Sequence, residues 1–227
     1  MNDNAIFGCR SAHPNMNTRL DHSFYQNPDV VTVARQLLGK YLVTEFEGLY
    51  CSGLITEVEA YRAPDDKACH AYNNRRTKRT EIMFWPGGVA YVYLCYGIHH
   101  LFNVVTGDAD MAHAVLIRAV QAKEGLEIME RRRGMSALKP QLSSGPGVMS
   151  KAMGITTDWT GQSLVDEGSP IWIEDRGYEL SDENIGESTR IGVDYAEECA
   201  LWPWRFYLKD SKWVSRFKPP KLKQSSP

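Results

Sequence analysis

From Val89 to Gln121 the chain has room for little but adjacent strands. The runs AYVYLCYG, IHHLFNVVTG and HAVLIRAVQ are rich in β-branched and aromatic residues, and only Gly97 and the turn sequence GDAD separate them. Connections that short reverse the chain and cannot carry a crossover helix, so the three runs are expected to pair largely antiparallel. Within the first run, Tyr91 and Tyr93 fall on one face and Val92, Leu94 and Tyr96 on the other. Tyr96, beside Gly97 at the strand end, is positioned to protrude.

Strand-like segments at 40–46 and 51–61 precede this run, and SPIWIE, TRIGV and WRFYL supply further β-like pieces near the end. Helices are expected between them. Asn27-Pro28 reads as a cap and first turn, Val30, Val33, Ala34, Leu37 and Leu38 form an apolar stripe, and Gly39 ends it. Asp65 and Asp66 suit the start of a short helix through Tyr72, with His70 near its end. Lys123 to Arg133 reads as an amphipathic helix stopped by Gly134, and SGPGVMSKAMG as a glycine-rich entry into another. At 227 residues and 43% hydrophobic, with no break in composition, the chain can bury one sizeable core. The predicted class is α+β: a single domain with a curved, largely antiparallel β-sheet flanked by helices. Residues 1–22 are expected to be a flexible arm, 23–218 the domain, and 219–227 a disordered basic tail.

The segment ITEVEAYRAPDDKACHAY raises the functional question. Alternation puts Ile55, Glu57, Glu59 and Tyr61 on one strand face and Thr56, Val58 and Ala60 on the other, so two carboxylates and a phenol line up, with His70 close behind. Solvated carboxylates on an edge strand are the plain reading. Held beside aromatic groups, however, a carboxylate is costly to desolvate, and that cost tunes it for proton transfer. Tyr61, Tyr72, Tyr91, Tyr93 and Tyr96 serve as core ladder residues, the favoured reading for Tyr91, or as faces on which exposed bases stack.

The net charge of −2 conceals segregation. Asp158 to Glu198 carries twelve acidic and two basic residues, Arg205 to Lys223 seven basic and one acidic, and Lys67 to Arg79 five basic and none acidic. If the two basic stretches share a face, it suits phosphates; solvated loops and a frayed tail explain them as well. Five scattered cysteines without a CxxC pair argue against a disulfide framework and a standard zinc site. Cys95, His99, His100 and His113 lack paired ligand spacing, so no metal and no cofactor are expected. Neither a signal peptide nor an apolar run of about 18 residues is visible, which predicts an intracellular protein with no membrane partner, in cytoplasm or nucleoid if bacterial and in the nucleus if eukaryotic.

The quoted motifs, together with ARQLLGKYLV, MFWPGG, FNVV, LSSGPGVMSKAMGI, TRIGVDYAEE and WRFYLKDSKWVS in this order and spacing, resemble the alkyladenine (3-methyladenine) DNA glycosylase family, the class without a helix-hairpin-helix. The resemblance covers nearly the whole chain after residue 28. It implies a monofunctional hydrolase of base excision repair that acts as a monomer on double-stranded DNA containing damaged purines. Glu59 matches the catalytic carboxylate that activates water, and Arg118 the arginine that helps hold that water. Tyr61, His70 and Tyr93 match the walls around a flipped base, Asn103 the asparagine that meets the purine edge and helps exclude guanine, and Tyr96 the intercalating wedge. Glu57 matches no catalytic residue. Arg75, Arg76, Lys78, Arg79 and Lys151 are candidate phosphate contacts. The turn GDADMAH and the segment IHHLF depart from the vertebrate pattern, which bears on preference among damaged bases.

Two other classes compete with this reading. A binder of distorted DNA would need the wedge and basic face but neither Glu59 nor Arg118. A carbohydrate hydrolase using Glu57 and Glu59 fails on geometry, because residues i and i+2 of a strand lie about 6.5 to 7 Å apart and point the same way rather than flanking a sugar.

Overall fold

The computed structural model of the protein describes residues 18–216. In chain order the main elements are β1 (Thr18–Arg19), α1 (His22–Tyr25), α2 (Val30–Leu37), β2 (Tyr41–Phe46), β3 (Leu49–Arg62), β4 (Ala90–Cys95), β5 (His99–Thr106) and β6 (His113–Glu124). They are followed by α3 (Leu126–Arg133), α4 (Pro146–Met153), β7 (Ile171–Asp175), β8 (Ile185–Ser188) and β9 (Arg205–Leu208). The sheet runs β1-β7-β2-β3-β6-β5-β4, and every pairing among the described residues is antiparallel. β2 covers one edge of β3 as far as Leu54, and β9 takes over that edge at Glu57–Glu59. The fourteen residues of β3 are therefore paired on both sides near the carboxylates.

One face of this sheet makes the main core. Val30, Val33, Ala34 and Leu37 of α2 and Met149, Ala152 and Met153 of α4 share a buried cluster with Ile55, Val58, Val115, Ile117 and Val120. A smaller cluster joins Tyr91, Val105 and Ala114 to the connecting segment through Ala63, Cys69, Met83 and Phe84. The functional residues sit on the side that this connection covers.

Several local expectations change. Asp29, not Asn27, caps α2, its carboxylate accepting from the amides of Val31 and Thr32. Lys123 and Glu124 belong to β6; the helix begins only after Gly125, whose positive φ of 72° and position 2.2 Å from the Tyr50 carbonyl, measured from an added Cβ, exclude any side chain. The helix expected from Asp65 to Tyr72 is instead a series of turns ending in a 3-10 turn at Tyr72–Asn74. There Asp66 accepts from the Ala68 amide and from Arg190, while Asp65 pairs with Arg62, so both carboxylates are bound to partners outside any helix. TRIGV is irregular, β8 ending before it at Ser188. The expected arm and tail lie mostly outside the described residues. Their described neighbours are held, with Thr18 and Arg19 pairing with β7 and Asp21 capping α1.

Strict alternation along Ile55–Tyr61 also fails at one point. Ile55 pairs with Val120 and Glu57 with Ala119, leaving Thr56 as an extra residue; then Val58 pairs with Ile117, leaving Arg118 extra on the other strand. The two irregularities compensate. Ile55 therefore joins Val58 and Ala60 in the core rather than sharing the carboxylate face. Bulges re-aim side chains, and these two bring Glu57 and Arg118 together.

Candidate active site

Glu57, Glu59 and Arg118 are buried, the two carboxylates completely. Arg118 spans both: its Nε donates to Glu57 Oε1 at 2.8 Å and its Nη1 to Glu59 Oε2 at 3.1 Å. Glu59 also receives the Tyr61 hydroxyl at 2.7 Å on Oε2 and the Ile191 amide at 2.8 Å on Oε1. An ionised carboxylate offers about four acceptor positions, so three are filled and about one is left for water. Burial alone would lower the Arg118 guanidinium, but Glu59 and Glu57 raise it above its ordinary value. Burial and the Glu59 charge push the Tyr61 phenol up, which keeps it a hydrogen-bond donor.

Glu57 anchors the arrangement from behind. It accepts from Arg118, from Arg205 Nε at 2.7 Å, and from the Ser215 amide. Burial alone would raise its carboxyl; Arg118, Arg205 and the Ser215 amide outweigh that and hold it below the ordinary value. Arg205 also reaches Ser188 Oγ and the Ser215 carbonyl. A second buried pair, Arg190 and Asp66, lies nearby; Arg190 also donates to the carbonyls of Ala60 and Cys199 and stacks 4.8 Å from the Tyr61 ring centroid. It thereby fixes Ile191, the next residue, whose amide meets Glu59.

In front of this floor opens a cavity of about 420 Å³ lined by Tyr61, His70, Tyr93, Asn103 and Arg118, among others. His70 and Tyr93 meet edge to face at 4.6 Å and 75°, and Tyr91 OH lies 2.9 Å from His70 Nδ1. Burial and the neighbouring Arg79 lower the His70 imidazole to about 4, so it is neutral at pH 7. Asn103 donates its amide to the carbonyls of Tyr91 and Leu101, which leaves Oδ1 as the group available to a ligand. At the rim, the turn from β4 to β5 is closed by the Ile98 amide donating to the Cys95 carbonyl, with Tyr96 and Gly97 both at positive φ. Tyr96 is 92% exposed at its tip.

The expected site residues thus separate into two groups. Arg118, Tyr61, His70, Tyr93, Asn103 and Tyr96 line one cavity, and Glu59 is buried behind it, bonded to Tyr61, Arg118 and Ile191 of that lining. The basic candidates are differently placed: Arg79 lies 4.8 Å over the Tyr93 ring and lines the cavity, while Arg76 pairs with Glu81 and Asp110 and covers Phe84. Arg75 and Lys78 are exposed on the loop, and Lys151 on α4 lies across the hairpin. Lys67 is paired with Glu197 and Glu198 and Arg205 is buried, while Lys218, Lys221 and Lys223 of the second basic stretch lie outside the described residues. Ile191, Arg190, Asp66, Arg205 and Ser215 were not visible as site residues. The ion-pair and carboxylate bonds that place them span 124 or more residues and no local pattern marks them; an arginine inside the apolar run WRFYL is the only hint.

A family model described as methylpurine-DNA glycosylase (MPG) matches residues 23–212. The chain belongs to the methylpurine-DNA glycosylase family. Among its relatives is a protein of Chlamydia felis named "Putative 3-methyladenine DNA glycosylase", 47% identical over 194 residues that cover 85% of this chain and 97% of the relative. A Bacillus cereus protein of the same name is 44% identical over 200 residues, covering 86% and 97%. The methylpurine-DNA glycosylase family identifies the protein as a DNA glycosylase, a hydrolase of DNA repair whose substrate is DNA. No helix among the described residues is long and apolar enough to cross a membrane.

Proposed function

We propose that the protein is a monofunctional glycosylase that flips an alkylated or deaminated purine out of duplex DNA and hydrolyses its N-glycosidic bond, starting base excision repair. The observation that carries this reading is a buried carboxylate held by three donors, the Tyr61 hydroxyl, Arg118 and the Ile191 amide, whose residues all line one aromatic cavity, beside a protruding tyrosine.

A base stacked in duplex DNA cannot expose its glycosidic bond, and extrusion costs a few kcal/mol, less at a damaged pair. Tyr96 fills the gap. The extruded purine enters between Tyr61 and the His70–Tyr93 pair, with Asn103 Oδ1 at its edge. As the bond breaks, positive charge develops on the sugar; Glu59 stabilises it and takes a proton from the attacking water, which Arg118 helps hold. The new bond is C1′–O, the purine leaves with the bonding pair, and an abasic sugar remains. An alkylated purine already carries positive charge and leaves readily, whereas hypoxanthine needs a proton first. Water is the nucleophile, so no amine adduct forms.

Duplexes carrying one hypoxanthine, ethenoadenine or alkylated purine should yield strand breaks only after alkali. Glu59→Gln should bind such a duplex but lose at least about 100-fold in excision, the scale of a positioned general base. Near-normal excision by that variant, or a borohydride-trapped adduct through Lys151, overturns the mechanism.

A further inference from the structure

Across the hairpin from the cavity lies a second depression, a groove of about 530 Å³ bounded by Ile98, His99 and His100 of the hairpin, Arg132 and Arg133 of α3, and Lys151 of α4. The two depressions share a wall. Leu94, Cys95 and Tyr96 line the cavity, and Ile98 to His100 line the groove; Pro146 at the start of α4 belongs to the first and Gly147 to the second. Their electrostatics agree as well. Neither has an Asp or Glu in its lining, whereas three other depressions hold carboxylates among their cations: Glu179 and Asp210 beside Lys209 and Lys212, Asp175 and Asp182 beside Arg35 and Lys40, and Asp21 and Asp175 beside Arg19.

The cations of the groove are also differently held from those of the 73–80 loop. Arg132 donates to the Ala152 carbonyl at 3.1 Å, and Arg133 to the carbonyls of Leu142 and Gln141 at 3.0 and 3.4 Å. A carbonyl orients a guanidinium without cancelling its charge. In the loop, by contrast, the carboxylates of Glu81 and Asp110 neutralise Arg76. The groove therefore keeps its positive charge, and two of its bearers are already ordered.

We propose that this groove is a phosphodiester-binding site that holds the DNA backbone on the side of the wedge away from the flipped nucleotide. The inference rests on the base-flipping reading. If Tyr96 enters the stack while one nucleotide turns into the cavity, the duplex must continue past the hairpin on both sides. On the groove side the cations it meets are Arg133 and Lys151. Phosphate contacts of this kind fix register without reading sequence.

The test uses the full chain and a duplex carrying a single hypoxanthine, with affinity measured against salt. Each lost phosphate contact should flatten the log–log slope by about 0.9. Lys151→Gln should show that change, and Arg133→Gln with Lys151→Gln about twice it; Lys212→Gln, in one of the mixed-charge depressions, should match the parent. If Arg133→Gln disturbs folding, read by thermal unfolding, Lys151→Gln alone decides. A slope for Lys151→Gln equal to the parent's overturns the proposal. Failure of the underlying reading looks different: the parent would bind but excise nothing, and the slope comparison, which needs binding only, would still decide whether the groove holds phosphate.

Discussion

Replacing Glu57 by Gln keeps the shape of the side chain and removes one buried charge from a network of two carboxylates and two arginines. Arg118 would retain Glu59 at 3.1 Å, and Arg205 would retain Ser188 Oγ at 2.8 Å and the Ser215 carbonyl at 3.3 Å. One carboxylate is then gone from between two buried arginines. Removing one partner of a buried pair costs about 3–5 kcal/mol. For a chain of this size about 2–4 °C accompanies each kcal/mol, so the melting temperature should fall by about 6–20 °C. Excision should fall too, by up to about 100-fold, because Arg118 loses the contact that aims it at Glu59 and a displacement of about 1 Å has that cost. Single-turnover excision well below the variant's melting temperature separates the two effects, and Arg205→Met in the same background should recover part of the stability. The pH dependence supplies an independent check. The Glu57 carboxyl is held below its ordinary value of 4.5, so its stabilisation is complete above that pH and is lost as pH falls through the lower folded value. The gap between parent and variant should therefore narrow in acid. Equal melting temperatures at pH 7 together with normal excision would refute the reasoning.

Tyr96→Ser should leave the unfolding free energy within about 0.5 kcal/mol of the parent, since the ring is exposed, and should keep the salt slope while weakening flipping, read by fluorescence of a base analogue beside the lesion. His70, lowered to about 4, is neutral in the folded protein and protonates in the unfolded chain near 6.5. Its stabilisation is present above about pH 6.5 and lost as pH falls through 4; the acid limb of a melting-temperature profile should be shallower in His70→Phe, and an unchanged limb counts against the assignment.

What the sequence revealed followed from what is local. The β4–β5–β6 run, the apolar stripe of α2 and the pairing of Tyr91 with Tyr93 depend on neighbours within a few residues, and the structure has all three. So does the alignment of Glu57 with Glu59. What escaped depends on distant partners. The phase change at Thr56 exists because β6 carries a compensating extra residue, Arg118, and neither strand shows it alone. Asp65 and Asp66 look like a helix start until Arg62 and Arg190 are seen to hold them. TRIGV has strand-forming residues, yet the Ile191 amide donates to the Glu59 carboxylate, 132 residues away, instead of to a neighbouring strand. The basic loop was legible as a charge run, but its neutralisation by Asp110 and its stacking on Phe84 and Tyr93 were not.

The Glu57 network also sets an order of events during synthesis. Glu57 precedes Arg118 by 61 residues, Arg205 by 148 and Ser215 by 158. At about 5–20 residues per second, the ribosome needs about 8–30 s to supply the last of these donors after the carboxylate has been made. For most of that interval the nascent chain carries Glu57 without Arg205 and the Ser215 amide, and β3 lacks β9 along the edge that bears Glu57 and Glu59. The floor of the active site is thus among the last parts of the molecule to close, and a chain arrested before Arg205 would hold every wall of the base cavity over an unfinished base.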